Sequence, residues 1–243
     1  MILRTSYFMI KRMLRGYITL AILMLTPLAL ITVLGMVAGN GLDTSGIPTI
    51  GGIAITMILA FQLYGGYNTL VYIGEDLINI NKWRMHSLPY GVHLHAFSII
   101  LAATFFSTLQ GFVLILFTQF VYGVDWGNIW LVLLVLLLIS ILTQLLYFNF
   151  AIFSKDFKTA DRYCVAYGLI SLVLGEVWFQ LPDIGILNFM STYGNPFSLG
   201  RNAVYTFITG DNLNRALISM GILLAASIVV GIVSIFTGRR KLA

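Results

Sequence analysis

Residues 129–153 read IWLVLLVLLLISILTQLLYFNFAIF, and this stretch decides the class of fold. It carries no charged residue, and a helix needs roughly 20 apolar residues to cross the hydrocarbon core of a bilayer. Its apolar residues occupy every face, whereas a strand of a membrane β-barrel would alternate with a period of two. Because lipid cannot hydrogen-bond to the backbone, the stretch predicts a membrane-spanning α-helix.

Five further apolar segments are long enough to cross, and only one of them holds a charged residue, Glu176, so the sequence predicts six spans. The predicted spans are 17–38, 50–74, 96–121, 129–153, 163–181 and 216–236. Hydrophobic residues make up 59% of the chain and charged residues 9%, against about 25% charged residues in a soluble domain. This composition excludes an ordinary soluble protein and a disordered chain. We therefore expect an all-α integral membrane protein with a single domain over residues 1–243.

The basic residues indicate which side of the membrane the termini occupy. Six spans place both termini on one side, and of the 14 basic residues only Arg201 and Arg215 fall on the other side. The remaining basic residues are Arg4, Lys11, Arg12, Arg15, Lys82, Arg84, Lys155, Lys158, Arg162, Arg239, Arg240 and Lys241. Because inner loops are rich in Lys and Arg, both termini are predicted to be cytoplasmic. Topology thus explains the net charge of +5, and we expect no nucleic-acid partner.

Two segments outside the spans have helical patterns of their own. Residues 1–15 combine apolar and basic positions at helical spacing, which predicts an amphipathic helix on the inner membrane surface; a simple charged anchor is the alternative. The outer stretch 182–215 contains an apolar run too short to cross, and we expect short interfacial or re-entrant helices there. Asn195 would cap one of them, with Pro196 at its first position.

The inner loop 75–95 has the composition of a contact surface. Acidic residues favour a helix start, a proline favours its end, and the apolar and basic residues between them are typical of protein interfaces. Its candidate contact residues are Glu75, Asp76, Leu77, Ile80, Trp83, Arg84, Leu88 and Pro89. The alternative is a helix that lies on the lipid headgroups.

Motifs for chemistry are missing from the chain. It has no GxxxxGK[ST], HExxH, GxSxG or CxxC pattern, so we expect no catalytic residue and no nucleotide or other cofactor bound by this chain itself. Its one cysteine, Cys164, is expected to pack as a small apolar residue. His86, His93 and His95 cluster near the inner loop, but without Cys or a suitable carboxylate we expect no metal site.

Three glutamines and one glutamate within the predicted spans are candidates for a polar function. Gln62, Gln110 and Gln144 lie near mid-depth, where amides either hold helices together or line a polar path. Glu176 could bind a proton or a cationic substrate group, since intramembrane carboxylates are costly and often functional. Alternatively, its position shortly before Pro182 lets it reach the outer interface. These four residues are the candidate substrate path.

In their order, these parts resemble the permease subunits of type-2 ABC exporters. Glu75 at the end of the second span, followed by an amphipathic stretch and Pro89, is similar to a family motif. Ile80 and Asn81 replace the Gly-Thr-like step that family members show at this spacing. A second match is Asn195-Pro196-Phe197, followed by Arg201 and Tyr205, before the last span.

The resemblance implies a pair of permeases, identical or paralogous, in a bacterial plasma membrane, bound to two cytoplasmic ATPase subunits that hold ATP and Mg²⁺. It implies that residues 75–89 form the coupling helix and that the outer element, with Asn195, Pro196, Phe197, Arg201 and Tyr205, closes a path between the permeases. The expected cargo is hydrophobic or amphipathic: a toxin-like or antimicrobial peptide, or a lipid-like antibiotic. The alternatives are a proton-coupled secondary transporter that uses Glu176 and a non-transporting scaffold or immunity protein.

Overall fold

A computed structural model describes residues 2–39, 41, 47–78, 91–210 and 212–242. All regular secondary structure in these residues is helical, which confirms the predicted all-α fold. The α-helices are α1 (Ile2–Arg15), α2 (Tyr17–Ala38), α3 (Thr49–Tyr64), α4 (Tyr67–Ile73), α5 (Val92–Tyr122), α6 (Ile129–Phe153), α7 (Phe157–Leu174), α8 (Gly185–Thr192), α9 (Pro196–Thr209) and α10 (Leu213–Leu242). A π-helical turn, Gly74–Ile78, follows α4.

Helix α6 is the centre of the bundle, in contact with α3, α4, α5, α7, α9 and α10. It begins after Asn128, whose side-chain oxygen accepts hydrogen bonds from the backbone N–H groups of Trp130 and Leu131 at 3.1 and 3.4 Å. Asparagine is a favoured residue at this capping position. Val135 and Ile139 are fully buried, so the helix predicted from apolar content alone supplies much of the core.

Within the described residues, four helices are long and apolar enough to cross a membrane. They are Thr49–Leu77, Val92–Tyr122, Ile129–Phe153 and Leu213–Arg240. The first of these includes α3, α4 and most of the π-helical turn. Together with the many exposed apolar side chains, these helices give the chain the character of a membrane protein.

The other two predicted spans correspond to α2 and α7. Helix α2 has the predicted bounds 17–38, and its part Met24–Ala38 is an apolar helix. Helix α7 ends at Leu174, whereas the predicted span 163–181 continues to residue 181. Gly175 follows that end, and the first turns of α7 carry Lys158 and Arg162, so the apolar part of the helix is short.

The regular α-helix of the second predicted span is interrupted at two glycines. Helix α3 ends at Tyr64, and Gly65 and Gly66 separate it from α4. A Cβ atom on Gly66 would lie 2.6 Å from the ring of Tyr147, so only glycine fits at this contact with α6.

The amphipathic helix predicted at residues 1–15 is present as α1, which packs against α5. Met9 and Met13 are buried in this contact, whereas Leu3 and Tyr7 are exposed. The helix therefore has one face on the bundle and apolar side chains left for a lipid surface.

Candidate functional site

A charged cluster joins three elements at one end of the bundle. Arg12 of α1 donates hydrogen bonds from Nη1 to both carboxylate oxygens of Asp76, at 2.7 and 3.0 Å, and from Nη2 to Glu75 Oε2 at 2.9 Å. Asp76 and Glu75 lie in the π-helical turn that ends the second predicted span. This geometry fixes the N-terminal helix to the start of the inner loop.

His95, near the start of α5, completes the cluster. Its Nε2 lies 3.0 Å from Asp76 Oδ2, and the two side chains are only 3% and 2% exposed. The guanidinium of Arg12 also lies over the ring of Tyr72, with its carbon 4.9 Å from the ring centroid. Burial alone would lower the pKa of Arg12, but the hydrogen bond to Asp76 and the charges of Asp76 and Glu75 raise it.

This cluster contains part of the predicted coupling segment. Asp76 and Leu77 are buried, whereas the side chain of Glu75 is half exposed. Ile80, Trp83, Arg84, Leu88 and Pro89 lie outside the described residues, as does His86. Arg12 and His95 were not among the predicted coupling residues. No local sequence pattern could have paired them with Asp76, since Arg12 lies 64 positions from Asp76 along the chain.

A second polar cluster lies inside the bundle around Gln62. Gln62 Nε2 donates to the backbone oxygen of Ser107 at 3.0 Å, and its Oε1 accepts hydrogen bonds from the hydroxyls of Ser107 and Ser140. These side chains come from α3, α5 and α6 and are all buried. The amide therefore holds three helices together.

Gln144 makes the corresponding connection one helical turn beyond Ser140. Its Nε2 donates to the backbone oxygen of Gly65 at 3.1 Å, and its Oε1 accepts a hydrogen bond from Thr69 at 2.6 Å. Gln144 thereby bridges α6 to the break between α3 and α4. Both amides have the geometry of the helix-joining alternative, and whether they also contact a cargo remains a prediction.

The other two candidate path residues lie in different surroundings. Gln110 is buried on α5. Glu176 lies beyond the end of α7, is exposed, and has a positive φ of 55°. The structure thus separates Glu176 from the three glutamines, and its side chain lies in a turn rather than within a helix.

The predicted outer element docks onto the end of α7. Asn195 caps α9 as predicted, because its Oδ1 accepts a hydrogen bond from Phe197 N at 3.2 Å, with Pro196 at the first position. Asn195 Nδ2 also donates to the backbone oxygen of Ser171 at 2.7 Å.

Arg201 makes a second attachment to α7. Its Nη1 donates to the backbone oxygen of Gly175 at 2.8 Å, and its guanidinium lies over the buried ring of Phe197. Tyr205, on α9, is half-buried. The predicted motif residues therefore attach α9 to α7; their role as a gate remains a prediction.

Among the residues that the structure describes, no three His, Cys, Asp or Glu side chains lie close enough to hold a metal ion. His93 is half-buried beside Gly91 and is not part of the Arg12 cluster. Cys164 is buried and belongs to an apolar cluster that also contains residues of α4, α5 and α6. Compared with known proteins, the chain matches no protein-family model and no curated sequence.

Proposed function

We propose that this chain is the membrane-spanning permease subunit of an ATP-driven ABC exporter. The observation that supports the proposal best is the contact of Arg12 with Glu75 and Asp76. It attaches the amphipathic N-terminal helix to the residues from which the inner loop begins. A movement of that loop would therefore reach α1 through the hydrogen bonds of Arg12 and α5 through the hydrogen bond of Asp76 with His95.

The proposed exporter function also implies a partner for the inner loop. The chain has no phosphate-binding loop of its own, so energy for transport would come from a cytoplasmic ATPase subunit that binds ATP and Mg²⁺. Residues 75–89 are the coupling segment in this proposal, with Trp83 as the buried anchor of the contact.

Six spans, cytoplasmic termini and a location in a bacterial plasma membrane belong to the same proposal. The described basic residues support it, because only Arg201 and Arg215 belong to the predicted outer side. We propose a hydrophobic or amphipathic cargo that moves between two permease copies or paralogues, since the exposed helix faces are apolar. The role of the exporter would be self-protection or peptide secretion.

A co-purification experiment tests this function. The tagged chain is extracted from membranes of its native host, and its partners are identified by mass spectrometry; the expected partner carries its own ATP-binding motif and hydrolyses Mg-ATP in the complex. Trp83→Ala should weaken the complex about thirtyfold, as expected for a hot-spot residue. Trp130→Ala is the matched control, because Trp130 is exposed at the opposite end of the bundle.

Two outcomes would contradict the proposal. A chain that purifies without an ATPase from membranes in which it is functional would refute the exporter. Equal binding by both tryptophan variants would refute the coupling segment. Orientation is tested separately with single cysteines in a Cys164→Ala background: labelling at position 158 from outside intact cells would contradict cytoplasmic termini.

A further inference from the structure

An open cavity lies where α6 turns into α7. Its volume is about 490 Å³, within the range of small-ligand sites. It is lined by Phe153, Ser154, Lys155, Asp156, Thr159 and Tyr163. The proposed exporter function assigns no role to these residues.

The cavity lies at the same end of the bundle as the Arg12 cluster. A Cβ atom on Gly74 would lie 2.6 Å from the ring of Phe157, which places the start of α7 against the residue before Glu75. Basic residues of α1 and the C-terminal arginines of α10 belong to the same predicted side of the chain. The cavity thus opens at the end of the bundle that would meet anionic headgroups.

Its lining combines a cation with aromatic side chains. Lys155 is exposed and makes no hydrogen bond or ion pair with another described residue, and Lys158 and Arg162 are exposed on the next turns. Phe153 and Tyr163 are 58% and 53% exposed. A cation beside exposed aromatic rings at the end of apolar helices matches a molecule with an anionic head and apolar chains.

Asp156 is the one carboxylate in the lining. Its Oδ1 accepts a hydrogen bond from Thr159 N at 3.3 Å, so it caps α7. Hydrogen bonding by Thr159, with the charges of Arg162 and Lys158, lowers the pKa of Asp156 below its ordinary value. Its negative charge opposes an anionic ligand, which gives the site a charge that can be removed experimentally.

We propose that this cavity binds the phosphate-bearing headgroup of an anionic phospholipid of the surrounding membrane. Lys155 contacts the phosphate, and Phe153 and Tyr163 lie beside the first part of the acyl chains. Basic pockets on the cytoplasmic side of membrane helices bind anionic lipid headgroups, and Lys158 and Arg162 beside the lining give this region its excess of positive charge. The proposal depends on membrane embedding and does not depend on the exporter function.

The test measures lipid binding to the full chain in detergent micelles by native mass spectrometry. The probes are dioleoyl phosphatidylglycerol and, as the neutral reference, dioleoyl phosphatidylcholine. The chain should bind phosphatidylglycerol preferentially. Lys155→Gln should weaken this binding about fivefold, which corresponds to one cation near anionic lipid, and Lys155→Arg should restore it.

A second variant changes the charge in the opposite direction. Asp156→Asn should tighten phosphatidylglycerol binding, because asparagine caps a helix as well as aspartate but carries no charge. A misfolded variant cannot produce this gain. Arg4→Gln, which removes an exposed cation of α1, should leave binding unchanged.

The outcomes that overturn the proposal are equally specific. It is wrong if the two lipids bind equally, if Lys155→Gln binds like the wild type, or if Arg4→Gln weakens binding as much as Lys155→Gln. Displacement of the bound lipid by excess inorganic phosphate would show that the cavity selects free phosphate, and would refute the lipid assignment.

Discussion

Removal of Arg12 and removal of Asp76 should destabilise the chain by different amounts. The side chain of Asp76 is 2% exposed and that of Arg12 is 37% exposed. Arg12→Met leaves a buried carboxylate without its cation and removes the hydrogen bonds at 2.7 and 3.0 Å. Breaking a fully buried pair costs about 3–5 kcal/mol, and the partial exposure of Arg12 reduces our expectation to about 2–4 kcal/mol.

The reverse change should cost less. In Asp76→Leu, the half-exposed Arg12 keeps its contact with Glu75 and can turn towards water, so no carboxylate stays buried without its cation. The buried His95 Nε2 loses its hydrogen-bond partner, and we therefore expect a loss of about 1–3 kcal/mol, smaller than that for Arg12→Met. The double variant should also be more stable than Arg12→Met alone, because removal of both partners leaves no buried charge.

The free energy of unfolding is measured in mixed micelles titrated with sodium dodecyl sulfate, with helix content followed by circular dichroism. Arg15→Met, at an exposed position on the same helix, is the control for loss of a cation and should change stability by less than about 0.5 kcal/mol. The assigned geometry is refuted if Asp76→Leu costs as much as Arg12→Met, or if the double variant shows simple additivity.

Three further predictions concern packing, capping and a turn. Gly66→Ala should lower the free energy of unfolding by about 1–3 kcal/mol, because its Cβ would meet Tyr147; Gly221→Ala, where no atom lies within 4 Å, should not lower it. Asn195→Ala should cost about 2 kcal/mol through loss of the cap and of a buried hydrogen bond, and aspartate should restore only the cap. Glu176→Val should be less stable than Glu176→Gly by about 1 kcal/mol, because φ is positive there; equal stability of the two variants, measured in the same titration, would contradict this turn.

The parts of the fold that could be predicted from sequence are those set by local signals. Continuous apolar runs gave the bounds of the helices Tyr17–Ala38 and Ile129–Phe153 as the structure has them. The Asn195-Pro196 pair likewise marked the start of α9, because capping depends only on neighbouring residues. Both signals act within one helix and need no knowledge of the partner helices.

The prediction for the fifth span extends past the end of the helix. Hydropathy continued the fifth predicted span to residue 181, although Gly175 is a stop signal at the point where α7 ends. By contrast, the second predicted span, 50–74, lies within Thr49–Leu77, which is long and apolar enough to cross a membrane although Gly65 and Gly66 interrupt its regular α-helix. Hydropathy averages over a single glycine and therefore overestimated the helical length of α7.

In the candidate sites too, local sequence signals identify single residues but not their distant partners. Glu75 and Asp76 could be found because acidic residues stand out after an apolar run, but their partner Arg12 is remote in sequence. The hydrogen bonds of Gln62 also depend on two serines that have no distinctive pattern. Sequence can thus identify a polar residue inside an apolar run. Whether its amide joins helices or stays without a hydrogen bond can be decided only when its partners in the fold are known.

The hydrogen-bond partners of the glutamines affect where a cargo would pass in the proposed exporter. Opening a path through the centre of one chain would break the hydrogen bonds of Gln62 and Gln144 with Ser107, Ser140 and Thr69. Each buried polar group left unsatisfied costs about 1–3 kcal/mol, so a path that separated both amides from their partners would cost several kcal/mol before any cargo entered. A path along the outer face of the bundle leaves every one of these hydrogen bonds intact. If the chain is an exporter permease as proposed, its interior hydrogen bonds therefore favour a path between two copies over a path through one.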